Sequence, residues 1–138
     1  MKPILLDTGV IVALFDRHER YHQACVNHVD QLRRPLVTCE AVIAESCYLL
    51  RHFAGAAETV IENVARGVFE IPFQLSQSSS EVQLILQKYR DLPADLADAC
   101  LIQLADQLGT GDILTLDRDF HTYRWRRTRT FHLLLDLG

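Results

Sequence analysis

Short apolar runs at 4–6, 36–38, 68–71 and 113–116 alternate with stretches whose apolar residues recur at helical intervals, and this alternation most limits the fold. Short buried strands joined by helices indicate a mainly parallel sheet covered on both faces, an α/β fold. The first run ends at Asp7-Thr8, after which Val10, Ile11, Ala13 and Leu14 begin a helical pattern. Further helices are expected over 22–33, over 40–53 with Gly55 as its C-terminal cap, and on to Arg66, where Gly67 stops the chain. Ser76 or Ser78 is placed to cap a helix running to Arg90, and Pro93 to start one ending at Gly109. A short turn at 117–121 and a last strand over 130–135 complete the expected order.

The chain has 138 residues, 49% hydrophobic and 23% charged, with no internal repeat and no linker, so a single domain over 1–138 is expected. A chain this long buries enough surface to fold without disulfide or zinc staples, so any metal would serve chemistry. The longest uninterrupted apolar run, Val10 to Phe15, is far short of the roughly 20 residues of a membrane span. No signal-peptide core opens the sequence, and a cytoplasmic location is expected. Cys25, Cys39, Cys47 and Cys100 form no C-x-x-C pair and lie in apolar surroundings, which points to buried free thiols.

Charge is distributed unevenly. Net charge is -4, yet residues 118–132 hold Arg118, Arg124, Arg126, Arg127 and Arg129 against the single acid Asp119, a local +4 that leaves -8 elsewhere. This asymmetry suits a protein that meets a polyanion at one edge and holds cations at another. With Tyr123 and Trp125 interleaved, the arginine segment is suited to grip a polyanion's phosphate backbone or stack a base. A charged loop and protected edge strand is the competing account.

In open parallel sheets, sites form beyond the carboxyl ends of the strands, so acids that follow strands matter most. Asp7 follows the first run and Asp117 the fourth. Each is equally placed to cap the next helix. Glu45 has Ala41, Val42, Tyr48 and Leu49 as helical neighbours and no cation within intrahelical reach, so it either faces solvent or points into a site. Asp98 has Ala94, Leu101, Ile102 and the like-charged Asp95 around it. The helix dipole serves Asp95 well and fades by Asp98, which ranks Asp98 as the better site candidate. If these acids converge, each pair about 6 Å apart repels by roughly 3 kcal/mol at an effective dielectric of about 20. Either some protonate or divalent cations neutralise them, and an all-oxygen set selects Mg²⁺ or Mn²⁺ over zinc. Such ions can activate a water and stabilise a phosphoryl transition state.

Other chemistries lack their residues. Asp7-Thr8-Gly9 matches the D-T-G of aspartic proteases in a chain too helical for that fold. Asp117-Arg118-Asp119 has the D-x-D of haloacid-dehalogenase-like phosphatases, but too late in the chain for the rest of that fold. There is no G-x-x-x-x-G-K-[ST] loop, G-x-G-x-x-G or H-E-x-x-H, and the six histidines are expected at the surface.

Four elements in order carry a family resemblance: Leu6-Asp7-Thr8, Glu45 in an apolar helix, Asp95-Leu96-Ala97-Asp98-Ala99, and Thr115-Leu116-Asp117-Arg118-Asp119-Phe120. The set resembles the PIN-domain ribonucleases, most closely the VapC-like toxins of bacterial toxin-antitoxin pairs. The resemblance implies a Rossmann-like three-layer α/β/α sandwich and Mg²⁺- or Mn²⁺-dependent endonucleolytic cleavage of single-stranded RNA. It makes Asp7, Glu45, Asp98 and Asp117 the metal-binding acids, with Thr8 and Thr115 holding the site's hydrogen bonds and Asp95 and Asp119 in support. Gly9 departs from the Ser or Asn frequent in the family at that position. A small antitoxin and a homodimer are implied partners, with 40–53 as a candidate interface helix. A non-catalytic RNA-binding or scaffolding domain is the alternative, against which the retention of all four acids counts. A small phosphatase requires Asp117 to act as a nucleophile.

Overall fold

The computed structural model describes residues 1–92 and 94–135. Its centre is β1 (Ile4–Leu6), whose three side chains are wholly buried because helices cover the sheet on both sides. Around it lie β2 (Leu36–Val37), β3 (Phe69–Glu70), β4 (Asp112–Leu114) and β7 (His132–Leu133), all parallel, in the order β3-β2-β1-β4-β7. Helix α1 (Thr8–Phe15) packs on both α2 (His22–Gln31) and α3 (Glu40–Leu49), α3 packs on α4 (Ala56–Ala65), and α5 (Leu75–Lys88) pairs with α6 (Leu96–Leu108). The result is a three-layer α/β/α sandwich, as the resemblance implied.

The chain winds outward from β1 through β2 to β3, then crosses back to lay β4 on the other side of β1. The carboxyl ends of β1 and β4 flank this reversal, where two adjacent connections diverge and leave a crevice. Hydrogen bonds fix the register there. The Asp7 N–H donates to the Leu114 carbonyl at 3.0 Å, and the Thr38 hydroxyl donates to the Leu6 carbonyl at 2.7 Å. A single apolar cluster from both helix layers, including Val10, Ile11, Val42, Leu101 and Leu104, encloses the strands.

Several local expectations need correction. The helix expected over 40–53 ends at Leu49, and Gly55 is the N-cap of α4. Its φ of +79° is the left-handed geometry expected of a cap, used to start a helix instead of ending one. Neither Ser76 nor Ser78 caps α5, which begins after Gln74. Ser78 sits at a kink with non-helical angles, buried, accepting from the Gln107 side chain of α6 at 2.6 Å. The expected start at Pro93 lies outside the described residues, and α6 starts at Leu96 with Asp95 as its cap. The strand expected over 130–135 divides. Arg129–Thr130 is β6, antiparallel to β5 (Arg124–Trp125), and only β7 joins the main sheet. Among the described residues no helix is long and apolar enough to cross a membrane.

Candidate functional site

Asp7 leaves β1 as the N-cap of α1, with the Thr8 N–H donating to Oδ1 at 2.7 Å and the Thr115 hydroxyl donating to Oδ2 at 2.6 Å. A carboxylate held on both oxygens has one orientation. Asp117, just past β4, caps the 3-10 turn Arg118–His121, its Oδ1 accepting from the Asp119 N–H at 2.9 Å. The Asp117 N–H in turn donates to the Thr115 hydroxyl oxygen at 3.0 Å, so one threonine ties the two acids together. Helix capping and site assembly are thus not competing accounts of Asp7 and Asp117; the cap is the device that aims each carboxylate.

Asp98 arrives from α6. Its N–H donates to Asp95 Oδ1 at 2.8 Å while its own Oδ2 accepts from the Asp95 N–H at 3.3 Å, a reciprocal capping box. The buried Tyr123 hydroxyl donates to the same Oδ2 at 3.4 Å. One oxygen each from Asp7, Asp98 and Asp117 lies within 4.8 Å of the others. They face a cavity of 420 Å³ that also receives Glu45, Asp95 and Glu19, with Val12, Leu49 and Leu116 as apolar walls.

Burial dominates the electrostatics. It pushes Asp7 up to about 6 and Asp98 up to about 7, with neighbouring acids adding to both shifts and the capping hydrogen bonds opposing them. Among the described residues no lysine, arginine or histidine forms an ion pair with any acid of the cavity. The Thr8 hydroxyl, buried on the cavity wall, has no hydrogen-bond partner among the described residues. Three converging carboxylates, no countercharge and an unpartnered hydroxyl fit a hard divalent cation, and an all-oxygen donor set without cysteine or histidine fits Mg²⁺ or Mn²⁺ better than zinc.

The expected residues are not equally placed. Asp7, Asp98 and Asp117 converge; Glu45 lines the cavity outside that trio and acts on Asp7 through its charge. Asp95 spends one oxygen on the cap of α6, and Asp119 supports Asp117 through its backbone, its side chain standing away from the cavity wall. Thr115 carries the hydrogen bonds expected of it, whereas Thr8 contributes its N–H and not its hydroxyl. Glu19 escaped sequence reasoning because it sits in the polar stretch 16–20, which reads as an ordinary solvated loop.

The arginine segment needs the larger correction. Tyr123 and Trp125 are buried, and the Trp125 Nε1 donates to the Thr130 carbonyl at 3.0 Å, so neither ring offers a face to a base. Arg126 and Arg129 place their guanidinium groups 5.6 and 5.3 Å from the centre of the Trp125 ring, and Arg124 donates to the carbonyls of His121, Thr122 and Tyr123. None of Arg118, Arg124, Arg126, Arg127 and Arg129 lines the acidic cavity.

Comparison with known proteins agrees with this geometry. The crystal structure of Mycobacterium tuberculosis VapC20, described as a Sarcin-Ricin loop cleaving toxin, superposes with a TM-score of 0.80 over 91% of this chain and 98% of that one, at 18% identity. Ribonuclease VapC26 of Mycobacterium tuberculosis is 33% identical over 117 residues, 83% of this chain and 87% of that protein. The PIN domain family model matches residues 4–126, a span that takes in all of the converging acids, and the chain belongs to the PIN domain family.

Proposed function

We propose that this chain is a Mg²⁺- or Mn²⁺-dependent endoribonuclease that hydrolyses phosphodiester bonds of single-stranded RNA, acting as the toxin of a toxin-antitoxin pair. The observation that carries the reading is the convergence of Asp7, Asp98 and Asp117 within 4.8 Å without a countercharge among the described residues. The relationship to a VapC ribonuclease over most of the chain supports the RNA substrate.

Asp7, Asp98 and Asp117 would hold the cation, with Glu45 at the rim of the same cavity. A bound divalent ion supplies water activation and charge stabilisation at the phosphorus. The chain's own residues prepare that chemistry. Thr115 donates to the Asp7 carboxylate and accepts from the Asp117 backbone N–H, and Tyr123 donates to Asp98 Oδ2. Val12, Leu49 and Leu116 form an apolar side to the cavity, beside which charge interactions are screened less than in open water. Because Leu49 is a cavity wall and also exposed, a small antitoxin that covers the cavity would bury it too.

The test is cleavage of a total small-RNA pool in Mn²⁺, beside an EDTA control and an Asp98→Asn protein from the same preparation. Cleavage that disappears in both controls is the expected result. Equal cleavage by wild type and Asp98→Asn would reject the site. No cleavage, with no Mn²⁺ stabilisation of the wild type over Asp98→Asn, would favour a non-catalytic RNA-binding domain.

A further inference from the structure

A second cavity, of 520 Å³, opens beside the acidic one. It is lined by Phe15, Arg17, His18, His52, Phe53 and the start of α4 at Gly55 and Ala56. The two linings interleave on three stretches of chain. Val12 and Phe15 are one turn apart on α1, Glu19 and His18 are consecutive in the following loop, and Leu49 and His52 stand at and just past the end of α3. The two cavities therefore lie on neighbouring stretches of the same elements and differ in character.

The acidic cavity holds six carboxylates and the second holds none. Arg17 is exposed and has no ion-pair partner among the described residues. His18 and His52 add ring N–H donors. Helix α4 starts at Ala56 on the same wall, with Gly55 as an N-cap that supplies no side-chain bond, the Ala56 N–H donating to the Phe53 carbonyl at 3.1 Å and Glu58 in its first turn. Phe53 remains 40% exposed, an aromatic face at the mouth of a cationic pocket.

We propose that this second cavity is a phosphate subsite that holds the RNA strand to one side of the scissile bond, with Arg17 pairing a phosphate, His18 and His52 donating to it, and Phe53 stacking the adjoining base. The inference rests on the ribonuclease reading above. A chain with -8 outside its arginine segment repels an RNA backbone at every phosphate except where local cations oppose it. A cation in the acidic cavity offsets the charge of the scissile phosphate alone. The neighbouring phosphate needs its own partner, and the guanidinium of Arg17 matches phosphate geometry. The aromatic face beside it favours a single-stranded nucleic acid over an acidic peptide, because every base has a face to stack.

The test uses the full chain carrying Asp98→Asn, which removes cleavage, and follows the anisotropy of a fluorescein-labelled single-stranded RNA of mixed sequence over a range of salt. Adding Arg17→Ala is expected to weaken binding about tenfold and to reduce the slope of log affinity against log salt by about 0.7. Arg17→Lys should restore the slope. Phe53→Ala should lower affinity without changing the slope, and Arg33→Ala, outside the lining of either cavity, should change neither. Wild-type affinity and slope in both Arg17→Ala and His52→Gln would overturn the subsite. So would Arg17-dependent binding of polyglutamate combined with Arg17-independent binding of RNA, which would assign the cavity to an acidic protein partner. Should RNA cleavage by the wild type persist in either case, only the subsite fails; a wild type that neither cleaves nor binds RNA removes the ribonuclease reading with it.

Discussion

Asp7 and Asp98 are buried acids among like charges, and their folded pKa values of about 6 and about 7 lie above the range of an unfolded chain. The folded protein then holds more protons than the unfolded one between about pH 4 and about pH 7, so metal-free stability is greatest at the acid end of that window and falls as pH rises through it. The melting temperature of the metal-free wild type should fall more steeply from about pH 4.5 to about pH 7.5 than that of Asp98→Asn. Adding Mn²⁺ should flatten or reverse the wild-type trend, because a cation takes the place of the protons. Calorimetric scans with and without EDTA check both points; equal slopes for the two proteins would mean Asp98 is not the strained acid. The donors around these acids can be tested separately. Tyr123→Phe keeps the ring that packs edge-on against Phe120 and Tyr89 and removes only the hydroxyl from Asp98. Mn²⁺ affinity should drop by about tenfold in Tyr123→Phe or Thr115→Val, measured by titration calorimetry, as losses of ligand-orienting hydrogen bonds usually do.

At the scale of elements, the start of α6 has two duties. Asp95 closes the capping box that orders the first turn, and that turn carries Asp98 into the site. Asp95→Ala should therefore cost about 1 kcal/mol, a fall of roughly 3 °C in melting temperature, and weaken metal binding by freeing Asp98 while leaving all three converging carboxylates in place. A thermal shift without any change in Mn²⁺ affinity would show that α6 positions Asp98 without the cap. The elements were legible where composition is decisive: apolar runs marked the buried strands, and glycine marked the ends of α4 and α6. They were misread where one residue type serves opposite ends. A left-handed Gly55 can finish one helix or begin the next, and the loop 51–55 that decides between them has no local signature. Ser78 looked like a cap because serine favours caps, but tertiary contact with Gln107 holds it inside a kinked helix. The acids of the site were readable for a different reason, since Asp7 and Asp117 followed apolar strands while Glu45 and Asp98 stood among largely apolar helical neighbours. Glu19, His18 and His52 gave no such signal because their placement depends on how loops fold beside the cavities.

Across the whole molecule, topology makes the site. Reversal of strand order between β1 and β4 leaves a crevice at their carboxyl ends, and α3 and α6 bring Glu45 and Asp98 to the same end. The arginine-rich segment belongs to a different part of this design than its charge suggested. It forms a hairpin with Trp125 packed against Gly111, while Arg126 and Arg129 lie near that ring and Arg124 turns back onto the backbone. Gly111 is the point of closure. Its carbonyl accepts from the His132 N–H at 2.8 Å, and a Cβ at this position would fall inside the Trp125 indole. The ring cannot swing aside freely, because its Nε1 is engaged by Thr130 and its faces by Arg126 and Arg129. Gly111→Ala should thus destabilise the protein by about 3 kcal/mol as an overpacked core position, lowering the melting temperature by roughly 9 °C. Limited proteolysis should cut first within 118–132. Restoring space with the double variant Gly111→Ala, Trp125→Phe should recover part of that loss, whereas a fully stable Gly111→Ala protein with a protease-resistant hairpin would show that this closure does not depend on the tryptophan.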